Sequence, residues 1–236
     1  MKHATHRESS WAVIYDAGLK HAPGLDEFSV DYWRSRQAVS GEATGRGSAW
    51  YIETPDGPVV LRHFLRGGWA AKLSRQAYFF TGISKSRPFR EYHILAGLYE
   101  KGLPVPRPVA ALCQHKGLVA TGAIMTACIP SATTLADVVA GAGEIEGLWA
   151  SVGRCIREFH SAGVWHADLN ARNILLDAES RVYLIDFDRA RLQAGKPVNG
   201  EDNLNRLKRS LVKFWPAKKL PEMDLAWADL KAAYNE

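Results

Sequence analysis

Residues 165–188 constrain the fold of this chain more than any other stretch. Two apolar runs, Ile174-Leu175-Leu176 and Val182-Tyr183-Leu184-Ile185, are joined by Asp177-Ala178-Glu179-Ser180. Short apolar runs bounded by turn formers predict two buried strands in a hairpin. Such a hairpin sets Asn173 just before its first strand and Asp186 just after its second, at the same end of the ribbon. Asp168 lies on the loop leading in.

The spacing His166-x-Asp168-x4-Asn173, followed by Asp186-Phe187-Asp188, resembles the catalytic and metal-binding loops of the protein-kinase-like fold. The separation 186 − 168 = 18 is the usual one for that pair of loops. An isolated Asp-Phe dipeptide carries no information. Two loops at this distance with two strands between them are specific.

A chain of 236 residues can bury a substantial core, as one domain or as two small lobes. Apolar residues make up 47% and charged residues 23%, as in ordinary globular proteins. The net charge of +5 points to an anionic partner without naming it. Cys113, Cys128 and Cys155 are too few and too scattered for a disulfide framework or a metal knuckle, so three buried thiols in a reducing compartment are expected. The first residues, Met1-Lys2-His3-Ala4-Thr5-His6-Arg7-Glu8, have no apolar core, which argues against a secretory signal. No run approaches the ~18 apolar residues of a membrane span.

Upstream of the hairpin, Trp11–Tyr15 is a strand candidate and Leu25–Trp33 a short helix candidate. No internal repeat appears. Gly45-Arg46-Gly47-Ser48 then precedes Trp50-Tyr51-Ile52, the turn Thr54–Pro58 and the strand Val59–Phe64. Strand, glycine loop, strand, turn and strand is how the small lobe of a kinase begins, and Gly45 and Gly47 would let backbone N–H groups approach a triphosphate. Alone, a Gly-x-Gly is more often a flexible hairpin turn, and its position upstream of the hairpin at 174–185 is what favours the phosphate loop. Val59-Val60-Leu61-Arg62 fills the third-strand pattern that carries a phosphate-binding lysine in protein kinases, with Arg62 at the lysine position. Lys72 is the alternative cation.

No acidic residue occurs from Arg62 to Arg90. Arg66, Lys72, Arg75, Lys85, Arg87 and Arg90 alternate there with Phe64, Trp69, Tyr78, Phe79, Phe80 and Phe89. The bland interpretation is a solvated face. The one-sided charge and the aromatic residues favour a surface that meets anionic headgroups or a phosphorylated glycolipid, with nucleic acid as the rival partner. Gly67, Gly68 and Gly82 break the run, so it is not one amphipathic helix.

Phe89–Tyr99 has helical apolar spacing through Ile94, Leu95 and Leu98, and stops at Gly102 ahead of Pro104 and Pro106. It occupies the place of the kinase αC helix, whose glutamate holds the third-strand cation. Glu91 is the glutamate near its start, and an exposed helix-terminal carboxylate is the competing reading. Residues 104–109 are extended, because each proline bars helix for its predecessor. Leu118–Ala120 and Ala123–Thr126 read as buried strands, with residues 126–130 as the hinge at an adenine edge. Thr133 and Thr134 begin a helix. Another runs through Leu148, Val152, Cys155, Ile156 and Phe159 to Gly163. His160 and His166 are too few for zinc. His166 is expected to be a scaffold residue that hydrogen-bonds backbone near the second aspartate. The stretch 202–214 has an apolar face (Leu204, Leu207, Leu211, Phe214) and a basic one (Arg206, Lys208, Arg209, Lys213). A last helix, Asp224–Tyr234, is expected to pack through Leu225, Trp227 and Leu230.

Only 236 − 188 = 48 residues follow Asp188, and no Ala-Pro-Glu occurs among them. An activation segment and a peptide-docking platform are hard to build from so little chain, which favours a compact kinase acting on a small molecule or glycan. The fold class expected is α+β, a protein-kinase-like two-lobed fold with a reduced second lobe: residues 1–126 as an antiparallel sheet with an αC-like helix, and residues 127–236 as a mainly helical lobe.

His166–Leu176 with Leu184–Ala190, together with Arg62-His63, Arg66-Gly67-Gly68, Phe80-Thr81-Gly82, Arg90-Glu91 and Gly102-Leu103-Pro104-Val105-Pro106-Arg107-Pro108, are similar to the 3-deoxy-D-manno-octulosonic acid (Kdo) kinases of lipopolysaccharide assembly. The resemblance covers about residues 45–215. Arg62 and Asp188 depart from the protein-kinase pattern and not from these motifs. The resemblance implies ATP-dependent phosphorylation of the 4-hydroxyl of Kdo on a lipid A precursor, at the cytoplasmic face of the inner membrane, with peripheral contact to an anionic membrane surface and no nucleic acid. Asp168 would orient the hydroxyl and accept its proton, and Asn173 and Asp186 would hold Mg2+ against the phosphates of ATP. Arg62 would contact phosphate, braced by Glu91, beneath a loop containing Gly45 and Gly47. On charge alone, Arg172, Arg189 or the basic helix at 206–213 would take the Kdo carboxylate. A heptose kinase of the same pathway or an antibiotic kinase shares this chemistry. A non-catalytic pseudokinase does not fit the complete set of Asp168, Asn173 and Asp186.

Overall fold

Alternating burial builds the first part of the chain. The computed structural model describes residues 1–43, 49–64, 78–79, 82–117, 119–141, 145–193 and 195–236. β1 (His3–Arg7) pairs antiparallel with β2 (Trp11–Asp16), whose Ala12, Val13 and Ile14 are buried. Asp26–Phe28 forms a single turn of 3-10 helix and α1 (Val30–Arg34) follows, so the helix expected over Leu25–Trp33 is split at Ser29. Trp33 from α1 enters the core, and its indole N–H donates to the Glu27 carbonyl at 2.6 Å.

β3 (Val39–Glu42), β4 (Ala49–Thr54) and β5 (Gly57–His63) extend the sheet. In β4, Trp50 and Ile52 are buried while Tyr51 and Glu53 are exposed, as the period of two requires. They stand opposite Leu61 and Val59 of β5, and together with Val13, Leu112 and Met125 they form the core of this unit. β6 (Tyr78–Phe79) is a short strand, and α2 (Arg87–Glu100) follows. α2 buries Phe89, Tyr92, Leu95 and Leu98, and packs on β7 (Pro108–Lys116) and β8 (Val119–Ala127). The strand order is β1-β2-β7-β8-β5-β4-β3, with β6 paired to β8. Two strands were expected between residues 118 and 126, but β8 is continuous through Gly122. Cys113 stands opposite Gly122 in β7, and on its other side the Phe64 N–H donates to the Gly122 carbonyl, so both edges are paired. The outer end of β8 is not buried, with Val119 47% exposed. Met1–Glu100 and Pro106–Cys128 make up this compact unit, and Lys101–Val105 and Ile129–Glu236 a second.

In the second unit, β9 (Thr133–Thr134) leads into α3 (Leu135–Ala140), capped by the Thr134 hydroxyl, which accepts the Asp137 N–H at 3.1 Å. α4 (Leu148–Ser161) buries Leu148, Val152, Cys155, Ile156 and Phe159, the predicted face. Gly163 follows at φ +80°, and a Cβ there would sit 2.1 Å from the Gln193 carbonyl oxygen, so only glycine fits. This turn feeds β10 (Val164–Trp165), then β11 (Ile174–Leu176), β12 (Val182–Leu184) and β13 (Arg191–Leu192). β11 pairs with β12 and β9, and β10 with β13. α5 (Glu201–Phe214) buries Leu204, Leu207 and Leu211 as expected, with Asn203 and Ser210 beside them.

α6 (Leu220–Asn235) corrects the reading of the tail. It starts earlier than Asp224, with Pro221 in its first turn, and buries Met223, Ala226, Leu230 and Ala233. Leu225 is 72% exposed, and Trp227 is half-buried beneath the Lys208 ammonium. α6 lies against α4, where a Cβ on Gly153 would stand 2.3 Å from the Leu230 carbonyl oxygen.

Candidate active site

The predicted hairpin forms, with Ile174 opposite Leu184 and Leu176 opposite Val182. Its turn is tied by Asp177, whose Oδ1 accepts the N–H groups of Glu179 and Arg181 at 3.0 and 2.9 Å while the Arg181 Nε donates to Oδ2 at 2.6 Å. At the open end, the Ile185 N–H donates to the Asn173 carbonyl at 3.1 Å. Asn173 and Asp186 therefore flank the same end of the ribbon.

His166 joins that end to the loop carrying Asp168. Its Nε2–H donates to the Ile185 carbonyl at 2.9 Å, and its Nδ1 accepts the Asp168 N–H at 3.1 Å. These two bonds fix the neutral tautomer with hydrogen on Nε2. Burial pushes the His166 pKa below 6.5, which keeps the ring neutral, while the nearby Asp186 and Asp168 oppose that shift. Phe187, fully buried, lies edge-on to His166 at 5.0 Å between centroids and stacks on Phe159 at 5.7 Å. The apolar middle residue of Asp186-Phe187-Asp188 is thus the anchor for the aspartate before it. Asp186 adopts φ +67°, a left-handed conformation uncommon for a non-glycine residue and typical of strain held at functional sites.

Two amides converge on the Asp168 carbonyl: Asn173 Nδ2 at 2.8 Å and Asn170 Nδ2 at 2.9 Å. The Asn173 N–H donates in turn to the Asn170 carbonyl at 3.0 Å. With its NH2 engaged, Asn173 keeps its Oδ1 as an acceptor. The Asp168 carboxylate is 59% exposed and meets Arg206 Nη1 at 3.0 Å.

From sequence α5 was legible as a basic helix, not as the partner of the Asp168 loop. Asn203 brackets the His166 backbone, Arg206 meets the Asp168 carboxylate, and the Ser210 Oγ accepts the Ala171 N–H at 3.1 Å. The signal that identifies these residues is their spacing beside Leu204, Leu207 and Leu211, which places polar side chains at the margin of a buried face. His160 and His166 do not form a metal pair. The His160 ring bonds Tyr234 and Asn203, and the His166 ring has the partners given above. Among the described residues no cluster of three His, Cys, Asp or Glu side chains could hold a metal.

In the first unit, Arg62 on β5 and Glu91 on α2 are brought together, with Arg62 Nη2 at 2.6 and 2.5 Å from the two carboxylate oxygens. Glu91 is 2% exposed, which sets aside the alternative of a solvent-facing helix-terminal carboxylate. The Arg62 guanidinium also lies over the Phe64 ring. Gly45, Gly47 and Lys72 lie outside the described residues, as do Arg66, Trp69, Arg75 and Phe80. Two other aromatics of 62–90, Phe64 and Phe89, were assigned to a surface and are instead 1% and 4% exposed. Phe64 ends the buried face of β5, and Phe89 lies on the inward face of α2. Among the described residues no helix is long and apolar enough to cross a membrane.

The model of the lipopolysaccharide kinase (Kdo/WaaP) family matches residues 30–234. Curated relatives named 3-deoxy-D-manno-octulosonic acid kinase include the following three. The protein of Stenotrophomonas maltophilia (strain R551-3) is 42% identical over 95% of this chain and 89% of its own length. That of Xanthomonas euvesicatoria pv. vesicatoria (strain 85-10) is 39% identical over the same shares. That of Vibrio vulnificus (strain CMCP6) is 38% identical over 85% of each chain.

Proposed function

This chain belongs to the lipopolysaccharide kinase (Kdo/WaaP) family, and from that membership we propose that it transfers the γ-phosphoryl group of ATP to the 4-hydroxyl of Kdo on a lipid A precursor. It is an ATP-dependent kinase, and Kdo of the lipopolysaccharide inner core is the sugar it phosphorylates. The acceptor hydroxyl and the lipid A portion are the finer part of the proposal. The sheet unit and the helical unit are read as the two lobes of a protein-kinase-like fold.

The observation that carries the mechanism is the pair of bonds at the hairpin end: Ile185 N–H to the Asn173 carbonyl, and His166 Nε2–H to the Ile185 carbonyl. They bind the loop of Asp168 to the residues on either side of the strands. Asp168, with its carboxylate in solvent and its backbone held at N–H and carbonyl, is suited to orient a sugar hydroxyl and take its proton. Asn173 Oδ1 and the Asp186 carboxylate are hard oxygen donors of the kind that hold Mg2+ alongside phosphate oxygens. Bound there, Mg2+ would neutralise charge on the phosphates of ATP. Arg62, fixed by Glu91, is assigned to an ATP phosphate, where a guanidinium can bind two oxygens at once. The net charge of +5 and the absence of acidic residues over 62–90 support peripheral attachment to an anionic membrane surface, at the cytoplasmic face of the inner membrane.

Radiolabelled ATP offered with Kdo–lipid A precursor, heptosylated core and an aminoglycoside tests the function. Label is expected in the Kdo acceptor. Label in heptosylated core or aminoglycoside alone would transfer the same chemistry to that substrate, and no label in any acceptor would overturn the kinase assignment.

A further inference from the structure

The polar edge of α5 runs in step with the loop of Asp168. Asn203 holds the His166 backbone at 2.7 and 3.1 Å, Arg206 reaches the Asp168 carboxylate at 3.0 Å, and Ser210 holds the Ala171 N–H at 3.1 Å. Asn203 and Ser210 are 1% and 8% exposed, and with Leu204, Leu207 and Leu211 they key the helix to the loop. Arg206 lies between these two anchors. Its position against Asp168 is therefore set by buried contacts on either side, although its own side chain is 47% exposed.

We propose that Arg206 is the residue that recognises the carboxylate of the acceptor sugar, and so selects an acidic sugar over a neutral one. The proposal rests on the reading of Kdo as the acceptor. A 2-keto sugar acid in its ring form carries its carboxylate on the anomeric carbon, two ring atoms from the 4-hydroxyl. When that hydroxyl meets Asp168, two carboxylates are brought within a sugar ring of each other, and their repulsion must be offset by a cation. Arg206 is the cation that pairs with Asp168 among the described residues. One of its five N–H donors makes that contact, and a guanidinium can bridge two carboxylates at once.

Two of the other basic residues considered from sequence are placed differently. The Arg172 guanidinium lies over the Phe214 ring at 5.1 Å. Lys208 is shared between Asp224 and the Trp227 ring. An acceptor carboxylate would share the Arg206 guanidinium with Asp168. A neutral sugar would leave the ion pair closed.

The test compares wild type, R206Q and R206K on Kdo–lipid A precursor and on the same acceptor with its Kdo carboxyl converted to the methyl ester. For R206Q, KM for the free acid is expected to rise about 10- to 100-fold, as for loss of a charge-assisted hydrogen bond, with KM for ATP unchanged. On the ester, wild type and R206Q should have equal KM, and R206K should recover part of the loss on the acid alone. Equal losses on acid and ester would overturn the inference and leave Arg206 as a support for Asp168. A raised KM for ATP would overturn it in favour of a phosphate contact. Wild type that labels no Kdo acceptor would instead overturn the reading beneath it.

Discussion

The side chain of Asn203 closes both backbone hydrogen bonds of His166: its Nδ2 donates to the His166 carbonyl at 2.7 Å, and its Oδ1 accepts the His166 N–H at 3.1 Å. The same Oδ1 lies 3.1 Å from His160 Nε2. A helix far along the chain thereby completes the backbone of the loop that carries Asp168. Asn203→Ala leaves two buried backbone groups unpaired and should cost about 3 kcal/mol of stability. Asn203→Asp should fold less well, because an ionised carboxylate has no N–H to offer the His166 carbonyl. Urea unfolding checks both, and an alanine variant within about 0.5 kcal/mol of wild type would show that the clamp contributes little.

Asp168 separates stability from turnover. Its carboxylate is 59% exposed, and its ion pair with Arg206 is a surface pair worth no more than about 1 kcal/mol. The hydrogen bonds that hold the loop are made by its backbone and survive truncation. Asp168→Ala is expected to keep the far-UV spectrum and melting profile of wild type while losing about 10²–10⁴-fold in kcat. Near-normal transfer by this variant would remove Asp168 from the role of base.

Glu91 makes the opposite case. It is buried, and its partner Arg62 is one-quarter exposed. Glu91→Ala leaves a partly buried guanidinium without its counter-charge, at a cost of about 3 kcal/mol. Glu91→Gln keeps the shape and an acceptor oxygen and should lose less. Both should raise KM for ATP while leaving KM for the Kdo acceptor near wild type. A larger change in acceptor KM than in ATP KM would count against a phosphate role for Arg62.

Close packing sets the outcome at Gly153. A Cβ there would stand 2.3 Å from the Leu230 carbonyl oxygen and 3.1 Å from the Tyr234 nitrogen, both backbone atoms. Alanine gains about 1 kcal/mol in helix propensity, but it has to push α4 and α6 apart. Gly153→Ala should lower the melting temperature, whereas Gly97→Ala on α2, where nothing lies within 4 Å, should raise it or leave it unchanged. Equal shifts in the two variants would refute the close approach.

The parts legible in the sequence are those written in short-range pattern. The hairpin, the turn at 177–180, the helices ending at Gly102 and Gly163, and the relation of Asn173 to Asp186 follow from local periodicity and turn chemistry. Arg62 and Glu91 were legible only through their places on β5 and α2. Asn203 and Ser210 were hidden, and Arg206 was legible only as one member of a basic helix face, because their roles depend on which face of α5 meets the loop, a tertiary fact that residue type does not encode. Leu225 misled for a related reason. It is a large apolar residue in a helical run, but a helix beginning at Leu220 sets the phase so that small residues, Ala226 and Ala233, take the inward positions that α4 leaves room for. Phe64 and Phe89 show the same limit: aromatics between basic residues can belong to the core when strand and helix periods turn them inward.

The buried His160 ring predicts how stability changes with pH. It is 4% exposed, its Nδ1 lies 2.9 Å from the Tyr234 hydroxyl and its Nε2 3.1 Å from Asn203 Oδ1. Burial pushes its pKa below 6.5, the Asn203 hydrogen bond opposes that, and His166 adds to it. The unfolded chain therefore takes up this proton at higher pH than the folded one. Stability from His160 is complete above about pH 6.5 and is lost progressively as pH falls toward the lower folded value. His166 shifts in the same direction for the same first cause. Urea unfolding between pH 7.5 and 5, above the range where most carboxylates titrate, should show a falling free energy. His160→Gln should lie below wild type at pH 7.5 and show a shallower fall toward pH 5. An unchanged slope in that variant would mean that the ring is not excluded from protonation in the folded state.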